Sequence, residues 1–431
     1  MSTVSFVLAG DSFITQHLPK DEKTNALKDY IRSFDVRFTN LEILLHDFEV
    51  YPAPTSGGTW AAARPAVLQD LKYLGFNIMA WANNHTIDWN IGGILTTMHH
   101  LEKNNCIHAG VGINLAEASQ PRYIDTAEGR VALIGVTSTM SEWGMASPQR
   151  PDVLGRPGAN VLRYQEIHHI SLADYEKLQE IVEQTDINAH RQINEKEGFT
   201  KPLQGGYYVG SLRFEPGTPG TTTTMNKKDS DRIVRSIREA ACQADIVLVS
   251  HHTHECKGMD KELPADFARD FAKLCIDSGA SAYIGHGPHI WRGIEIYKNK
   301  PIFYSLGDFI FQNDSVERQP AEFYTIYDLD SQSTVSKGLN IRTDHGKRGL
   351  PADIRVFQSA LPSFSIENGK LHKIFLKPVA LGFTKNHSLK GRPYFADAKE
   401  GKEILQHIAA ISAPFGTKMT IQDGLGVISI K

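Results

Sequence analysis

The sequence predicts an α/β fold. Three observations carry that expectation. Short apolar runs alternate with helix-period segments over the first third of the chain. Many of these runs end abruptly in Asp, Asn, Glu or His. The alternation resumes after a looser, polar middle. Residues 4–9 read as a buried strand ending at Gly10-Asp11, and 35–39 as a second ending at Asn40-Leu41-Glu42. Pro65 opens a helix with Val67, Leu68, Leu71 and Leu74 on one face and Gly75 at its stop. Residues 77–82 form a third strand that runs into Asn83-Asn84-His85. Residues 91–103 read as a helix, and 107–110 and 131–137 as strands. This spacing implies parallel strands with helices on both faces of the sheet.

From 138 to 226 the pattern loosens into a Pro-, Gly- and Thr-rich stretch, read as an insertion or lid. Tyr175, Leu178, Ile181 and Val182 keep helical spacing within it; Trp143, Tyr207 and Tyr208 are candidate pocket aromatics, with packing the commoner use. A helix over 231–244 follows, then a strand over 245–250 ending at His251-His252. A helix over 267–278, a strand over 282–285 before His286, and a strand over 302–306 before Gly307-Asp308 complete the series. Residues 314–350 are polar again, a second insertion. The tail predicts strands near 353–359 and 370–379, a helix near 396–410 and a strand pair near 418–429. The whole, 1–431, reads as a single domain.

Charge narrows the function classes. Lys+Arg total 46 against 49 Asp+Glu, a net −3, which argues against a chain that coats nucleic acid or anionic membrane. Hydrophobic residues at 41% support a full core. The four cysteines form no CxxC, which fits a reducing cytosol and excludes a thiolate zinc ribbon. The N-terminus has no signal-peptide pattern and no run of about 18 apolar residues occurs. The expectation is a soluble, cytoplasmic protein with no stable membrane insertion.

Asp11, Glu42, Asn84-His85, His252 and His286 each follow an apolar strand. Ligands of open α/β sheets bind at the carboxyl ends of strands. Oxygen and nitrogen donors without thiolate suit Mn, Fe or Zn, and a carboxylate such as Glu42 can bridge two ions. His252 and His254, two apart, share a face with His251 opposite, and at least one of the three is expected to be structural. Gly287-Pro288 makes a rigid turn that aims His286 and His289 together. Singly, each residue has an ordinary explanation: Asp11 as a turn former, Glu42 as a solvated carboxylate, His85 as a satisfied histidine. Their weight lies in their ordered agreement.

The ordered set GD (10–11), NLE (40–42), ANNHTID (82–88), VSHH (249–252), GHGPH (285–289) and YSLGDFIF (304–311) resembles the CapA family of poly-γ-glutamate capsule synthesis, within the calcineurin-like metallophosphoesterase superfamily. GRPYFAD (391–397) and APFGT (413–417) extend the likeness. The resemblance implies a four-layer α/β/β/α sandwich and a dinuclear divalent-metal site. Asp11 and His289 would serve one ion; Asn84, His252 and His286 the other; Glu42 would bridge. His85 would be the acid that protonates the leaving group, Asp88 its orienting partner, and a metal-bound hydroxide the nucleophile. Two departures stand out. Ser12-Phe13 follows Asp11 where the superfamily has Asp-x-His, leaving one ion short of a nitrogen. Asp308 stands where relatives have Asn, so this added carboxylate is a candidate contact for a metal or a cationic group. His254 is an extra candidate ligand or substrate contact, and Arg64, Arg292 and Arg392 are candidate clamps for an anionic substrate. The implied function is hydrolysis of an anionic small molecule or polymer, phosphoester slightly favoured. γ-Glutamyl amide hydrolysis or transfer is the alternative, and a non-catalytic accessory of polymer-synthesis machinery is another.

Overall fold

The computed structural model describes residues 3–430. Two sheets stack face to face, one of ten strands and one of six. In the first, Thr3–Phe13, Val36–Leu41, Ile78–Ala80 and Ile107–Ala109 run parallel. In the second, Gly129–Thr137, Ile246–His252, Ala282–His286 and Lys300–Phe303 run parallel. The period-two alternation of the first strand explains the layering. Val4, Phe6 and Leu8 point into the core between the sheets, against Leu133, Leu248 and Ile284 of the second sheet. Val7 and Ala9 point outward, under Leu27 and Ile31 of helix Glu22–Arg32 and Leu68, Leu71 and Leu74 of helix Leu68–Leu74. Helices Lys227–Gln243 and Asp266–Asp277 cover the second sheet with Ile233, Ile237, Phe267 and Phe271. Each such buried side chain contributes about 1.5–3 kcal/mol.

The architecture is the four-layer α/β/β/α sandwich. The expectation of helices on both faces of one sheet is thereby corrected: each sheet carries helices on its outer face and another sheet on its inner face. A strand buried on both faces has the same apolar run whether helix or sheet covers it. Helix Ala398–Ser412 slots Ile404, Leu405 and Ile408 into the inter-sheet layer and closes it.

The middle segment is more ordered than its composition suggests. Strands Tyr164–Ile170, Tyr207–Val209, Leu212–Pro216 and Gly220–Met225 form a separate four-stranded sheet, with helices Leu172–Glu183 and Ala189–Lys196. The threonine run is a strand, since β-branched side chains suit one, and Thr222 pairs with Ile167. Trp143 is exposed, and Tyr207 packs edge-on against Tyr175, so these aromatics serve the insertion's own surface and packing. Residues 314–350 contain helices Ala321–Ile326 and Val335–Thr343. The strand expected from 353 begins later, as Gln358–Glu367, after a tight 3-10 turn at Ile354–Phe357. No helix among the described residues is long and apolar enough to cross a membrane.

Candidate metal centre

Parallel register brings the strand exits level. Asp11 pairs with Asn40 on one side and Asp308 on the other, and His252 pairs with His286. The approach of the two Gly-Asp segments demands glycine: a Cβ on Gly10 would lie 1.8 Å from the Gly307 carbonyl oxygen. The Asp11 amide donates to that same oxygen at 3.0 Å. In the Gly287-Pro288 turn, His289 adopts a left-handed φ of 63°, an uncommon conformation for a non-glycine residue and one that clusters at functional sites.

Three groups of donors converge: Asp11, His252 and His286; Glu42, His252 and His254; and Asp11, Glu42, His289 and Asp308. His286 Nδ1 lies 3.2 Å from Asp11 Oδ1, and its Nε2 hydrogen-bonds Ser250 Oγ at 2.6 Å. His252 presents Nδ1 to His286 Nδ1 at 2.9 Å and Nε2 to His254 Nε2 at 3.1 Å, with Glu42 Oε1 at 3.5 Å. His289 Nδ1 reaches Asp308 Oδ1 at 3.0 Å. Asp11 Oδ1 accepts from Asn40 Nδ2 at 2.6 Å, and Asp11 Oδ2 from the Gly287 amide at 2.9 Å.

The residues fit a divalent cation. Both Glu42 oxygens, Asp308 Oδ2, Asn84 Oδ1 and Asn40 Oδ1 are buried without a hydrogen-bond partner. Buried polar atoms left unpaired are costly, and those of Glu42 and Asp308 belong to one donor group. Burial, reinforced by Asp11, Asp308 and Asp88, pushes the Glu42 carboxyl well up; burial pushes Asp308 up to about 7. Burial likewise pushes His252 and His254 well down. A bound cation reverses the carboxylate logic and favours the deprotonated ligands it needs.

His85 stands beside this cluster. Its Nδ1 hydrogen-bonds Asp88 Oδ2 at 2.6 Å, and Asp88 also accepts from the Ala61 amide at 2.8 Å and the Gly57 amide at 3.1 Å. Burial raises the Asp88 pKa, and His85 opposes that rise. With Nδ1–H given to Asp88, Nε2 faces Glu42 Oε1 at 4.0 Å. Gly57 closes over this group; a Cβ there would meet Asn84 Nδ2 at 2.3 Å.

Other expected residues lie elsewhere. Arg64 is a surface residue paired with Glu317 at 2.7 Å and Asp47 at 3.3 Å. Arg292 is fully buried and donates to the carbonyls of Lys261, Thr253, His254 and Glu255, so it fixes the loop that carries His254. Both guanidinium groups are committed within the protein, which corrects their reading as substrate clamps. His251 bonds Tyr283 Oη and Ser138 Oγ on the far face of its strand, and burial holds it down at about 3. His17 is engaged by Asp70 and does not supply the missing nitrogen. Asp308 instead stands beside Asp11, a carboxylate in its stead.

A cavity of ≈ 460 Å³ opens over the centre, lined by His85, His289, Phe13, Lys261, Arg342 and Arg348 among others. The three cations in that set were not anticipated. Lys261 sits on the short strand Asp260–Pro264, Arg342 near the end of helix Val335–Thr343 and Arg348 in the loop after it, and no local motif marks them.

The family described as bacterial capsule synthesis protein PGA_cap matches residues 6–313. Uncharacterized protein y4sH of Sinorhizobium fredii is 33% identical over 438 residues, covering 99% of this chain and 93% of its own. PGA biosynthesis protein CapA of Bacillus subtilis is 24% identical, over 56% of this chain and 44% of its own. Capsule biosynthesis protein CapA of Bacillus anthracis is 21% identical, over 72% of this chain and 60% of its own. A solved Staphylococcus aureus chain, named as a candidate 5'-nucleotidase, shares 10% identity at a TM-score of 0.39 over 94% of this chain and 58% of its own, too loose a likeness to carry an argument.

Proposed function

The chain belongs to the bacterial capsule synthesis protein PGA_cap family, and from that premise we propose that it is a metal-dependent hydrolase of an anionic substrate. Asp11, Glu42, His289 and Asp308 would hold one divalent ion (Mn, Fe or Zn). Asn84, His252 and His286 would hold a second, with Glu42 between the two and His254 at the edge of the centre. Bound ions of this kind activate water and neutralise charge on the group under attack. His85, oriented through Nδ1 by Asp88, presents Nε2 to the leaving group and gives it a proton. Asp88 holds the tautomer and offsets the charge of the protonated ring. Arg292 acts at one remove, pinning the loop that carries His254. The chain is read as a single domain, 1–431, in which 138–226 flanks the site and 314–350 forms a wall of the cavity.

The observation that carries this reading is the convergence of unpartnered buried oxygens beside an intact His85–Asp88 pair. A non-catalytic polymer-binding accessory has no need of that pair. Phosphoester cleavage is favoured over γ-glutamyl amide cleavage or transfer, since paired cations best offset the charge of a phosphoryl group. The names of the CapA relatives support a working association with polymer-synthesis machinery. The test is metal analysis of purified protein with a hydrolysis panel of phosphomonoesters, phosphodiesters and γ-glutamyl peptides. Near-stoichiometric Mn, Fe or Zn with chelator-sensitive turnover is expected. Metal-independent, salt-sensitive polymer binding with no turnover would instead identify an accessory.

A further inference from the structure

The cavity over the centre has two unlike sides. His85 and His289 lie toward the strand exits, while Lys261 lines it from the short strand Asp260–Pro264, and Arg342 and Arg348 from the 314–350 segment. Several guanidinium groups of this protein pair with acids: Arg130 with Asp125, Arg163 with Asp229, Arg355 with Asp353. Those in the cavity, like that of Arg292, do not. Arg342 donates to the Gly58 carbonyl at 3.2 Å and the Thr59 hydroxyl at 3.0 Å, and Arg348 to the Arg342 carbonyl at 2.9 Å. None of these partners is a carboxylate. The one acid lining the cavity, Asp353, is engaged by Arg355 at 2.7 Å. Lys261 is half-buried, and burial lowers its pKa by more than the attraction of Asp308 and Asp353 raises it. Three cations thus share one concave wall whose single lining acid is already engaged by another arginine. Cations collected in a cleft focus a positive field and draw anions to it.

We propose that Lys261, Arg342 and Arg348 form an anion subsite that holds a second carboxylate or phosphate of the substrate, away from the bond being cleaved. The forked guanidinium donors suit either group, and the lysine adds a point charge. The substrate then carries at least two anionic groups, one at the metal centre and one at the wall. That it is the substrate which fills the wall rests on the hydrolase reading; that the wall binds anions does not.

The test separates the two. Inorganic phosphate and glutarate are titrated calorimetrically into full-length protein after chelation and dialysis, at low ionic strength. Wild type, Arg342→Gln/Arg348→Gln, Lys261→Gln and Arg348→Gln alone are compared, with thermal midpoints recorded. At least one probe should bind the metal-free wild type. The double variant should bind it about tenfold more weakly or worse, and each single variant several-fold more weakly. Stronger binding of glutarate assigns a carboxylate to the subsite, and stronger binding of phosphate a phosphoryl group. If the double variant unfolds early, the single variants decide. Absence of binding of both probes by wild type, or equal binding by correctly folded variants, would overturn the proposal. A wild type that binds these anions but takes up none of manganese, iron and zinc would overturn the hydrolase reading and leave the subsite standing.

Discussion

The floor and the wall of one cavity are built in opposite ways. The floor consists of side chains at strand exits, with Asp11, Glu42, His252, His286 and Asp308 each 0% exposed and fixed by parallel register. The wall takes Arg342, half-buried, and Arg348, exposed, from a polar segment with two short helices. The difference suits the proposed role of each side. Holding an ion and aiming a proton would require placement to within about 0.5 Å, which a sheet core supplies. Attracting an anion would require only a field, which longer side chains on a less regular wall supply.

That contrast can be broken most forcefully at the floor. His85→Ala should lower turnover by about 10²–10⁴-fold with metal content unchanged, read by steady-state rates alongside metal analysis of the same sample. Equal rates would remove His85 as proton donor. Glu42→Ala should weaken divalent-ion binding by more than the roughly 10–100-fold typical of outer-sphere partners, read by competition with a metal indicator. Retention of both ions would place the bridge elsewhere.

Acid should strike the floor's scaffold and spare the wall. Burial holds His46 and His108 at about 4 each, below an ordinary value of 6.5. Between these values the unfolded chain binds more protons than the folded one. Stability from these residues is therefore complete above 6.5 and is lost as pH falls toward 4. His108 accounts for about 3 kcal/mol of that loss. Denaturant titrations at pH 7 and pH 4.5 should show it, and His108→Asn should flatten the slope. The smallest effect concerns the separate sheet. Tyr164 and Met225 are paired across the first and last of its strands in chain order, so a short glycine linker can replace residues 165–224. Bound metal should be unchanged and the range of accepted substrates widened several-fold at most. Loss of metal would make the insertion part of the scaffold.

Much of the floor was legible in the sequence because a strand buried on both faces is a continuous apolar run. Its end is marked by a short polar or charged cluster. Asp11, Glu42, His85, His252 and His286 each fall in such a cluster. The pairing of the two sheets face to face was not readable from those runs, which are equally apolar against helix or sheet; the family resemblance supplied it. Asp308 was visible as a residue but not as Asp11's neighbour, since that register joins strands from opposite ends of the chain. Lys261, Arg342 and Arg348 gave no signal. A basic residue in a polar loop is ordinary until the fold leaves it without an acid. The Thr-rich strand was hidden by its exposure, which removes the alternation that marks a half-buried strand.

The hydrogen bond from the Gly287 amide to Asp11 joins residues 276 positions apart. Ribosomes deliver the Asp11 carboxylate long before the turn that secures it. Nascent chains therefore carry Asp11 without this clasp until residue 287 has been made, and the proposed metal capture comes late in synthesis. Fragments ending ahead of residue 287 should emerge from cells without manganese, however well their amino-terminal half has folded.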